Sequence, residues 1–162
     1  MNIKVIFLDI DGVLAVNWQE RDKYGALFHP EFVESLARII QETSAKIVIS
    51  STWRFNGLIS IHQMWKDRSL PGEVIGVTTH FPGQDRGVEI ESFIDVVNLS
   101  YKDSDPESIF ISNYVIIDDD TDFLKEQLRY LVKTSDNLSH PDATDLGYGL
   151  TEQCAERAIN IL

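Results

Sequence analysis

Two aspartates stand directly behind a run of hydrophobic residues close to the N-terminus. Asp9 and Asp11 are separated by one residue and followed by Gly12, and residues 5–8 before them are all apolar. In a β-strand, residues i and i+2 point to the same side, so both carboxylates are expected to converge on one small volume. Two like charges that close are unfavourable unless a cation or a shared proton offsets the repulsion. Because ligands in open α/β sheets bind beyond the carboxyl ends of the strands, this pair is the first candidate for chemistry.

A second apolar run ends in hydroxyl groups. Residues 47–49 are followed by Ser50 and Ser51, and Arg54 comes shortly after them. Serines at such a position often begin turns or cap helices, so the hydroxyl groups alone do not decide between structure and chemistry. The planar fork of Arg54 suits phosphate oxygens, but it could equally pair with a surface acid.

A third apolar run delivers carboxylates to its end. Residues 115–117 are followed without a break by three acids: Asp118, Asp119 and Asp120. An acidic helix N-terminus, stabilised by the helix dipole, would explain the later members of this run. It does not explain acids that directly abut Ile117, and these indicate a site at the end of the strand.

A basic residue stands at the predicted start of a helix. After Arg86 the apolar residues recur at helical spacing: Val88, Phe93, Ile94 and Val97. A cation at the start of a helix opposes the helix dipole, so Arg86 needs another reason for its position. Lys102 is a competing cation, but it lies in the loop expected over residues 100–113, far from the helix start.

An alternation of apolar strands and amphipathic helices must position these residues. Strands are predicted at residues 5–8, 46–49, 74–77, 114–117 and 130–132. Helices are predicted at residues 30–40, 58–65, 86–97, 123–128 and 151–162, and loops at residues 15–29, 100–113 and 135–149. This order predicts an α/β fold, a three-layer, doubly wound and mostly parallel sheet, in a single domain over residues 1–162.

The composition argues against several classes of protein. The formal net charge is −12, from 26 acidic and 14 basic residues, which disfavours a broad nucleic-acid-binding surface but leaves recognition of one phosphorylated end open. No apolar run approaches the roughly 20 residues of a membrane span, and a signal peptide is not expected because Asp9 and Asp11 interrupt the first hydrophobic stretch. The single cysteine, Cys154, cannot form an internal disulfide, which suits a cytoplasmic protein.

Four segments, in this order, resemble the four motifs of the haloacid dehalogenase (HAD) superfamily in its phosphatase form. They are residues 7–14 (FLDIDGVL), 47–54 (IVISSTWR), 86–90 (RGVEI) and 115–120 (VIIDDD). Together they resemble the branch called the HAD domain in Swiss Army Knife RNA repair proteins, and residues 149–151 (GLT) also suit that branch. The resemblance implies a Rossmann-like HAD core.

The resemblance also implies a reaction. In a phosphomonoester hydrolase of this type, Asp9 would attack the phosphorus atom and form an aspartyl-phosphate. Asp11 would protonate the leaving oxygen and later deprotonate water. Ser50 and Ser51 would hold the phosphoryl group, and Arg86 would offset the charge of the nucleophile and bind the phosphate.

A Mg²⁺ site is implied by the same resemblance. The carboxylates of Asp9 and Asp119 and the backbone carbonyl of Asp11 would supply protein ligands, since this ion prefers oxygen ligands in an octahedral arrangement. Asp118 would contact Arg86 from outside the metal's ligand shell. The run of three acids leaves the register open by one residue, so either Asp118 or Asp119 could be the direct ligand.

The expected substrates are nucleotides or phosphorylated nucleic-acid ends. The inserts between the motifs leave no room for a large cap domain, so a capless or minimally capped site should be open to large substrates. A small nucleotide would fit if Trp18, Tyr24 or Trp53 forms a stacking wall. The alternative is a non-catalytic binding or scaffold domain, although none of the motif aspartates is missing. A two-component receiver domain is disfavoured because no acid ends the strand predicted at residues 74–77.

Overall fold

A five-stranded parallel sheet forms the centre of the computed structural model, which describes residues 1–135 and 148–162. The strands are β1 (Asn2–Leu8), β2 (Arg21–Asp22), β3 (Gly25–Ala26), β4 (Lys46–Ile49), β5 (Val74–Val77), β6 (Phe110–Asp118) and β7 (Leu131–Lys133). The helices are α1 (Pro30–Thr43), α2 (Leu58–Asp67), α3 (Arg86–Leu99) and α4 (Glu152–Ile161), with short 3₁₀ helices at Thr52–Asn56 and Leu128–Tyr130. The order of strands in the sheet is β5-β4-β1-β6-β7, so the predicted α/β fold is confirmed.

Both faces of the sheet are covered by helices, which gives three layers. β1 is central, and its side chains alternate between the two faces as strand geometry requires. Ile6 and Leu8 belong to the core under α1, α2 and α4. Val5 and Phe7 belong to the core under α3, where the ring of Phe7 meets that of Phe93 edge to face. The long apolar run of β1 is explained by burial on both sides.

The segment between β1 and α1 contains a small antiparallel ribbon formed by β2 and β3. Arg21 pairs with Ala26 and Asp22 pairs with Gly25. The structure describes all of residues 9–29 and places no other strand or helix there, and the ribbon lies within the expected loop over residues 15–29. The expectation of a capless or minimally capped core agrees with an insert of this size.

One predicted helix is wrong. Phe123, Leu124 and Leu128 have helical spacing, but residues 123–127 form a bend and a turn before the 3₁₀ helix at Leu128–Tyr130. Only Phe123 of these three side chains is buried, and Leu128 is exposed. The side chain of Gln127 accepts a hydrogen bond from the Leu124 amide at 3.0 Å, which closes the turn without a helix.

The C-terminal part agrees with the sequence where it is described. Thr151 caps α4, and its side chain accepts a hydrogen bond from the Cys154 amide. Of the loop expected over residues 135–149, residues 136–147 lie outside the described part of the chain. In the described residues, no helix combines the length and the apolar character that crossing a membrane demands.

Candidate active site

The carboxyl ends of three adjacent strands bring the motif residues to one edge of the sheet. β1 lies between β4 and β6. The amide of Asp9 donates a hydrogen bond to the carbonyl oxygen of Ile117 at 3.0 Å, and the amide of Ser50 donates to that of Leu8 at 2.9 Å. Asp9 and Ser50, which follow β1 and β4, and Asp118, the last residue of β6, are therefore neighbours.

Three of the acids form a compact cluster. Asp9, Asp118 and Asp119 each offer a carboxylate oxygen within 4.8 Å of the other two. Hard oxygen ligands at this spacing fit a divalent cation such as Mg²⁺. The sequence predicted that the carboxylates of Asp9 and Asp11 meet, but the cluster does not include Asp11. β1 ends at Leu8, so the alternation of side chains in a strand does not extend to Asp11.

Gly12 allows the turn after β1 to approach this acid cluster. Its backbone has a φ of 76°, a left-handed conformation that favours glycine, and a Cβ here would overlap the Asp119 carboxylate. The hydroxyl of the buried Thr134 donates to the Gly12 carbonyl at 2.8 Å, and its amide donates to the Asp118 carbonyl at 2.9 Å. The turn and the end of β6 are thus tied to each other.

Arg86, the first residue of α3, reaches the same cluster. Its Nη1 forms an ion pair with Asp118 Oδ2 and lies 3.4 Å from Asp9 Oδ2. Burial lowers the pKa of Arg86, but the charges of Asp118 and Asp9 outweigh burial and raise it. Burial and the charge of Asp9 raise the pKa of Asp118, against the lowering effect of Arg86. A bound divalent cation would relieve this concentration of negative charge, so the residues fit the ion.

The N-terminal end of α3 is held by the segment after β6. The Asp122 side chain accepts a hydrogen bond from the Arg86 amide at 3.2 Å, and its carbonyl accepts one from the Gly87 amide at 3.1 Å. The buried Gln127 donates to the Gly87 carbonyl at 2.9 Å. Sequence reasoning missed Gln127, because its partner is 40 positions away and no local pattern marks the contact.

Of the two serines after β4, Ser50 is the one with an unpaired hydroxyl. Ser50 is buried, and its Oγ has no hydrogen-bond partner in the part of the chain that the structure describes. The Ser51 Oγ accepts a hydrogen bond from the Trp53 amide at 3.4 Å and caps the 3₁₀ helix that follows. A buried hydroxyl without a partner is costly, and a bound phosphoryl oxygen would satisfy it.

The carboxylate of Asp11 is held by an indole ring. Trp53 Nε1 donates a hydrogen bond to Asp11 Oδ1 at 2.8 Å. Burial raises the pKa of Asp11, this hydrogen bond opposes the increase, and the charge of Asp9 adds to it. A raised pKa suits a carboxyl group that gives and takes protons. The sequence suggested for Trp53 only a wall on which a nucleotide could stack. Nothing local indicates that its N–H faces a residue 42 positions earlier.

Arg54 pairs with a buried acid. Its Nη2 lies 2.9 Å from Glu89 Oε2, and its Nη1 donates to Thr78 Oγ1 at 3.4 Å. The sequence left two roles open for Arg54, phosphate binding and pairing with a surface acid. The partner is an acid, but one in the interior. Glu89 gave no signal in the sequence, because an acid in the first turn of a helix is ordinary.

Comparison with known proteins identifies one family. The model of the family described as HAD domain in Swiss Army Knife RNA repair proteins matches residues 5–143, a stretch that includes the four motif segments but not residues 149–151. No curated protein and no solved structure matches the chain significantly. The resemblance drawn from the four sequence motifs is confirmed by the family match.

Proposed function

Because the chain belongs to the family of HAD domains in Swiss Army Knife RNA repair proteins, we propose that it is a Mg²⁺-dependent phosphomonoester hydrolase acting on nucleotides or phosphorylated nucleic-acid ends. Family membership supports the phosphatase type of chemistry. The proposal depends above all on one observation, the meeting at one sheet edge of three carboxylates, an unpaired serine hydroxyl and an arginine.

In the first step, a carboxylate oxygen of Asp9 attacks the phosphorus atom in line with the departing oxygen. A bond forms between Asp9 and phosphorus as the bond to the leaving oxygen breaks, and Asp11 gives its proton to that oxygen. The products are an alcohol and an aspartyl-phosphate. Asp11 starts this step protonated, a state that its burial favours by raising the carboxyl pKa.

In the second step, Asp11 takes a proton from a water molecule, and the water oxygen attacks phosphorus. The bond between Asp9 and phosphorus breaks, inorganic phosphate leaves, and the carboxylate of Asp9 is restored. The hydroxyl groups of Ser50 and Ser51 and the guanidinium of Arg86 donate to the equatorial oxygens in both steps. Such positioning and charge stabilisation dominate phosphoryl transfer.

Asp9, Asp119 and the backbone carbonyl of Asp11 would hold Mg²⁺, and Asp118 would orient Arg86. When bound, the ion supplies positive charge that offsets the repulsion between the carboxylates and the phosphate. The close approach of the carboxylate oxygens of Asp9, Asp118 and Asp119, within 4.8 Å of one another, supports a cation site here, and the ion pair between Arg86 and Asp118 supports the role of Asp118.

Phosphate release with Mg²⁺ tests the proposal. The substrates are nucleoside 5′- and 3′-monophosphates, 3′-phosphorylated oligonucleotides and sugar phosphates. Asp9→Asn should lower kcat at least about 1000-fold, because the substitution removes the nucleophile and no neighbouring group can take over its role. Asp95→Asn, which changes an exposed carboxylate on α3, is the matched control and should keep the wild-type rate. EDTA should abolish phosphate release, and added Mg²⁺ should restore it.

Trapping the intermediate distinguishes the enzyme from a non-catalytic binding domain. Asp11→Asn removes the group that activates water, while p-nitrophenyl phosphate, with its good leaving group, needs no acid in the first step. A phosphorylated protein should therefore accumulate, with one phosphoryl group on the peptide that carries Asp9, and hydroxylamine should remove it. A wild-type chain that releases phosphate from no substrate would contradict the proposal and favour a binding domain.

A further inference from the structure

A cleft of about 310 Å³ opens directly beside Asp11. One wall is the ribbon of β2 and β3 with its flanking residues, and the other is the 3₁₀ helix that follows Ser51. Its lining includes three aromatic rings and one arginine, side chains that phosphoryl transfer itself does not require. The residues along it include Asp11, Trp18, Arg21, Tyr24, Trp53 and Asn56.

We propose that this cleft binds the terminal nucleoside of a phosphorylated nucleic-acid strand, with the base against the aromatic rings and the next phosphodiester at Arg21. This inference rests on the proposed function and extends it to the leaving group of the substrate. Asp11 protonates the leaving oxygen, so the leaving group lies on the Asp11 side of the reacting phosphorus. The cleft is the space that opens on that side.

Three aromatic side chains give the cleft flat surfaces for a base. The ring of Trp53 packs so closely on Gly25 that a Cβ there would come within 3.0 Å of it. The hydroxyl of Tyr24 donates to Asp67 at 2.6 Å, which fixes that ring. Trp18 is 48% exposed and has apolar area still to bury. Stacking of a base on an aromatic ring accepts any base, as an enzyme for strand ends requires.

The ribbon beside these rings is anchored to α2. Arg68 follows α2 and donates to the Asp22 carboxylate from two nitrogens, at 2.9 and 2.7 Å. Its guanidinium also lies over the ring of Phe28, 4.5 Å from the centroid. A wall that is already ordered loses little conformational freedom when a ligand binds, so its contacts contribute more to affinity.

Arg21 supplies a positive charge that the protein does not neutralise. Its side chain is exposed and forms no ion pair or hydrogen bond with any residue that the structure describes. Arg54, Arg68 and Arg86, by contrast, each pair with a carboxylate. In a chain with a net charge of −12, an unpaired guanidinium beside the site is available to an anionic ligand. Its planar fork suits the two free oxygens of a phosphodiester.

The charges favour a strand end over the other forms of nucleic acid. A mononucleotide has no second phosphate for Arg21 once its own phosphate is at the acid cluster. An internal segment of a long strand would bring many phosphates against an acidic protein, which repels them. One terminal nucleoside with one phosphodiester matches the single cation of the cleft.

Binding without turnover tests the cleft. In an Asp9→Asn background with Mg²⁺, fluorescence anisotropy measures the Kd of a trinucleotide with a terminal phosphate at one end and a dye at the other. Trp18→Ala should raise the Kd about 10-fold through lost stacking. Arg21→Gln should raise it and reduce the dependence of log Kd on log salt concentration by about 0.7, the value for one single-strand phosphate contact. Lys102→Gln, at an exposed cation beyond the opposite end of α3, is the control and should change neither.

Two further arms of the experiment identify the ligand. Trinucleotides phosphorylated at the 3′ or the 5′ end are both measured, since the chemistry of the cleft is common to both. Tighter binding of either trinucleotide than of the mononucleotide supports the inference. The corresponding mononucleotide should bind less tightly than the better trinucleotide. Equal Kd values for the mononucleotide and both trinucleotides would overturn the assignment of a strand end.

Activity separates this inference from the proposed function. Trp18→Ala, in an otherwise wild-type chain, should lower kcat/KM for the trinucleotide relative to that for glycerol phosphate about 10-fold, because glycerol has no ring to stack. An unchanged ratio together with an unchanged Kd would overturn the cleft inference and leave the phosphatase proposal standing. No phosphate release from any substrate, with a Kd that still depends on Trp18, would overturn the phosphatase proposal and support the binding cleft.

Discussion

The buried ion pair between Arg54 and Glu89 connects two parts of the candidate active site. Their side chains are 7% and 3% exposed, and Arg54 Nη2 lies 2.9 Å from Glu89 Oε2. Glu89 Oε1 also accepts a hydrogen bond from the Phe81 amide at 3.0 Å. Arg54 belongs to the 3₁₀ helix that carries Trp53, and Glu89 lies in the first turn of the helix that begins with Arg86. The pair therefore fixes the spacing between these two site elements.

Glu89→Gln should destabilise the fold by about 3–5 kcal/mol, the cost of removing one partner from a buried ion pair. The substitution keeps the shape of the side chain but leaves the guanidinium of Arg54 without its carboxylate. Burial already lowers the pKa of Arg54, and Glu89 is the largest opposing influence. Urea denaturation followed by circular dichroism measures the change in the free energy of unfolding. Glu91→Gln, at an exposed position of the same helix, is the control and should change stability by less than about 0.5 kcal/mol.

The double variant Arg54→Leu with Glu89→Leu completes the test. Replacing both members of a buried ion pair by apolar residues is often nearly neutral, so the double variant should be more stable than Glu89→Gln alone. A loss below about 1 kcal/mol for Glu89→Gln would refute the reasoning, since it would mean that water reaches the guanidinium. So would a double variant that is less stable than Glu89→Gln, because the charge left unpaired would then not be the cause of the loss.

Three further results are expected. Gly12→Ala should destabilise the fold by about 1–2 kcal/mol, because a residue with a Cβ is strained in the left-handed region. It should also weaken Mg²⁺ binding, because the new Cβ would displace the Asp119 carboxylate. An unchanged Kd for Mg²⁺ in calorimetric titration would contradict this second effect. Ser50→Ala should lower kcat/KM about 100-fold, as expected for loss of one donor to the transition state. Tm should stay the same or rise, because the substitution removes a buried hydroxyl that has no partner among the described residues; a lower Tm with full activity would indicate a structural role instead. The Arg68 guanidinium lowers the pKa of Asp22 from 3.8 to about 2, so this pair stabilises the fold above about pH 4 and stops doing so as the pH falls towards 2. The stability difference between wild type and Asp22→Asn in urea should therefore shrink between about pH 5 and pH 2.5, and a constant difference would refute the linkage.

The five strands of the central sheet and most helices could be predicted from the sequence because burial imposes a local period on the chain. The two-residue strands β2 and β3 lie in a segment expected to be a loop. β1 and β4 show an apolar run, and α1 shows apolar residues at helical spacing. The same rule failed at residues 123–128, where helical spacing occurs but Leu128 is exposed and the Gln127 side chain closes the turn. Here a side chain accepts the hydrogen bond that a backbone carbonyl would accept in a helix, and the spacing of apolar residues does not reveal such a contact.

Arg86 shows what a local conflict in the sequence can reveal. A cation at a helix start is unfavourable on its own, and the structure pairs it with Asp118 and Asp9. Trp53 shows the opposite case, since its hydrogen bond to Asp11 breaks no local rule and therefore could not be inferred.

The sequence by itself determined the five strands of the central sheet and the acids, hydroxyl groups and basic residues that come after them, because both depend on the order of neighbouring residues. Only the tertiary structure decided which side chains meet. It brings the carboxylates of Asp9, Asp118 and Asp119 into one cluster, and it places the Asp11 carboxylate in a hydrogen bond with Trp53. These contacts depend on the order of strands in the sheet and on the path of the chain beyond each strand, and residues so far apart in the sequence share no local pattern.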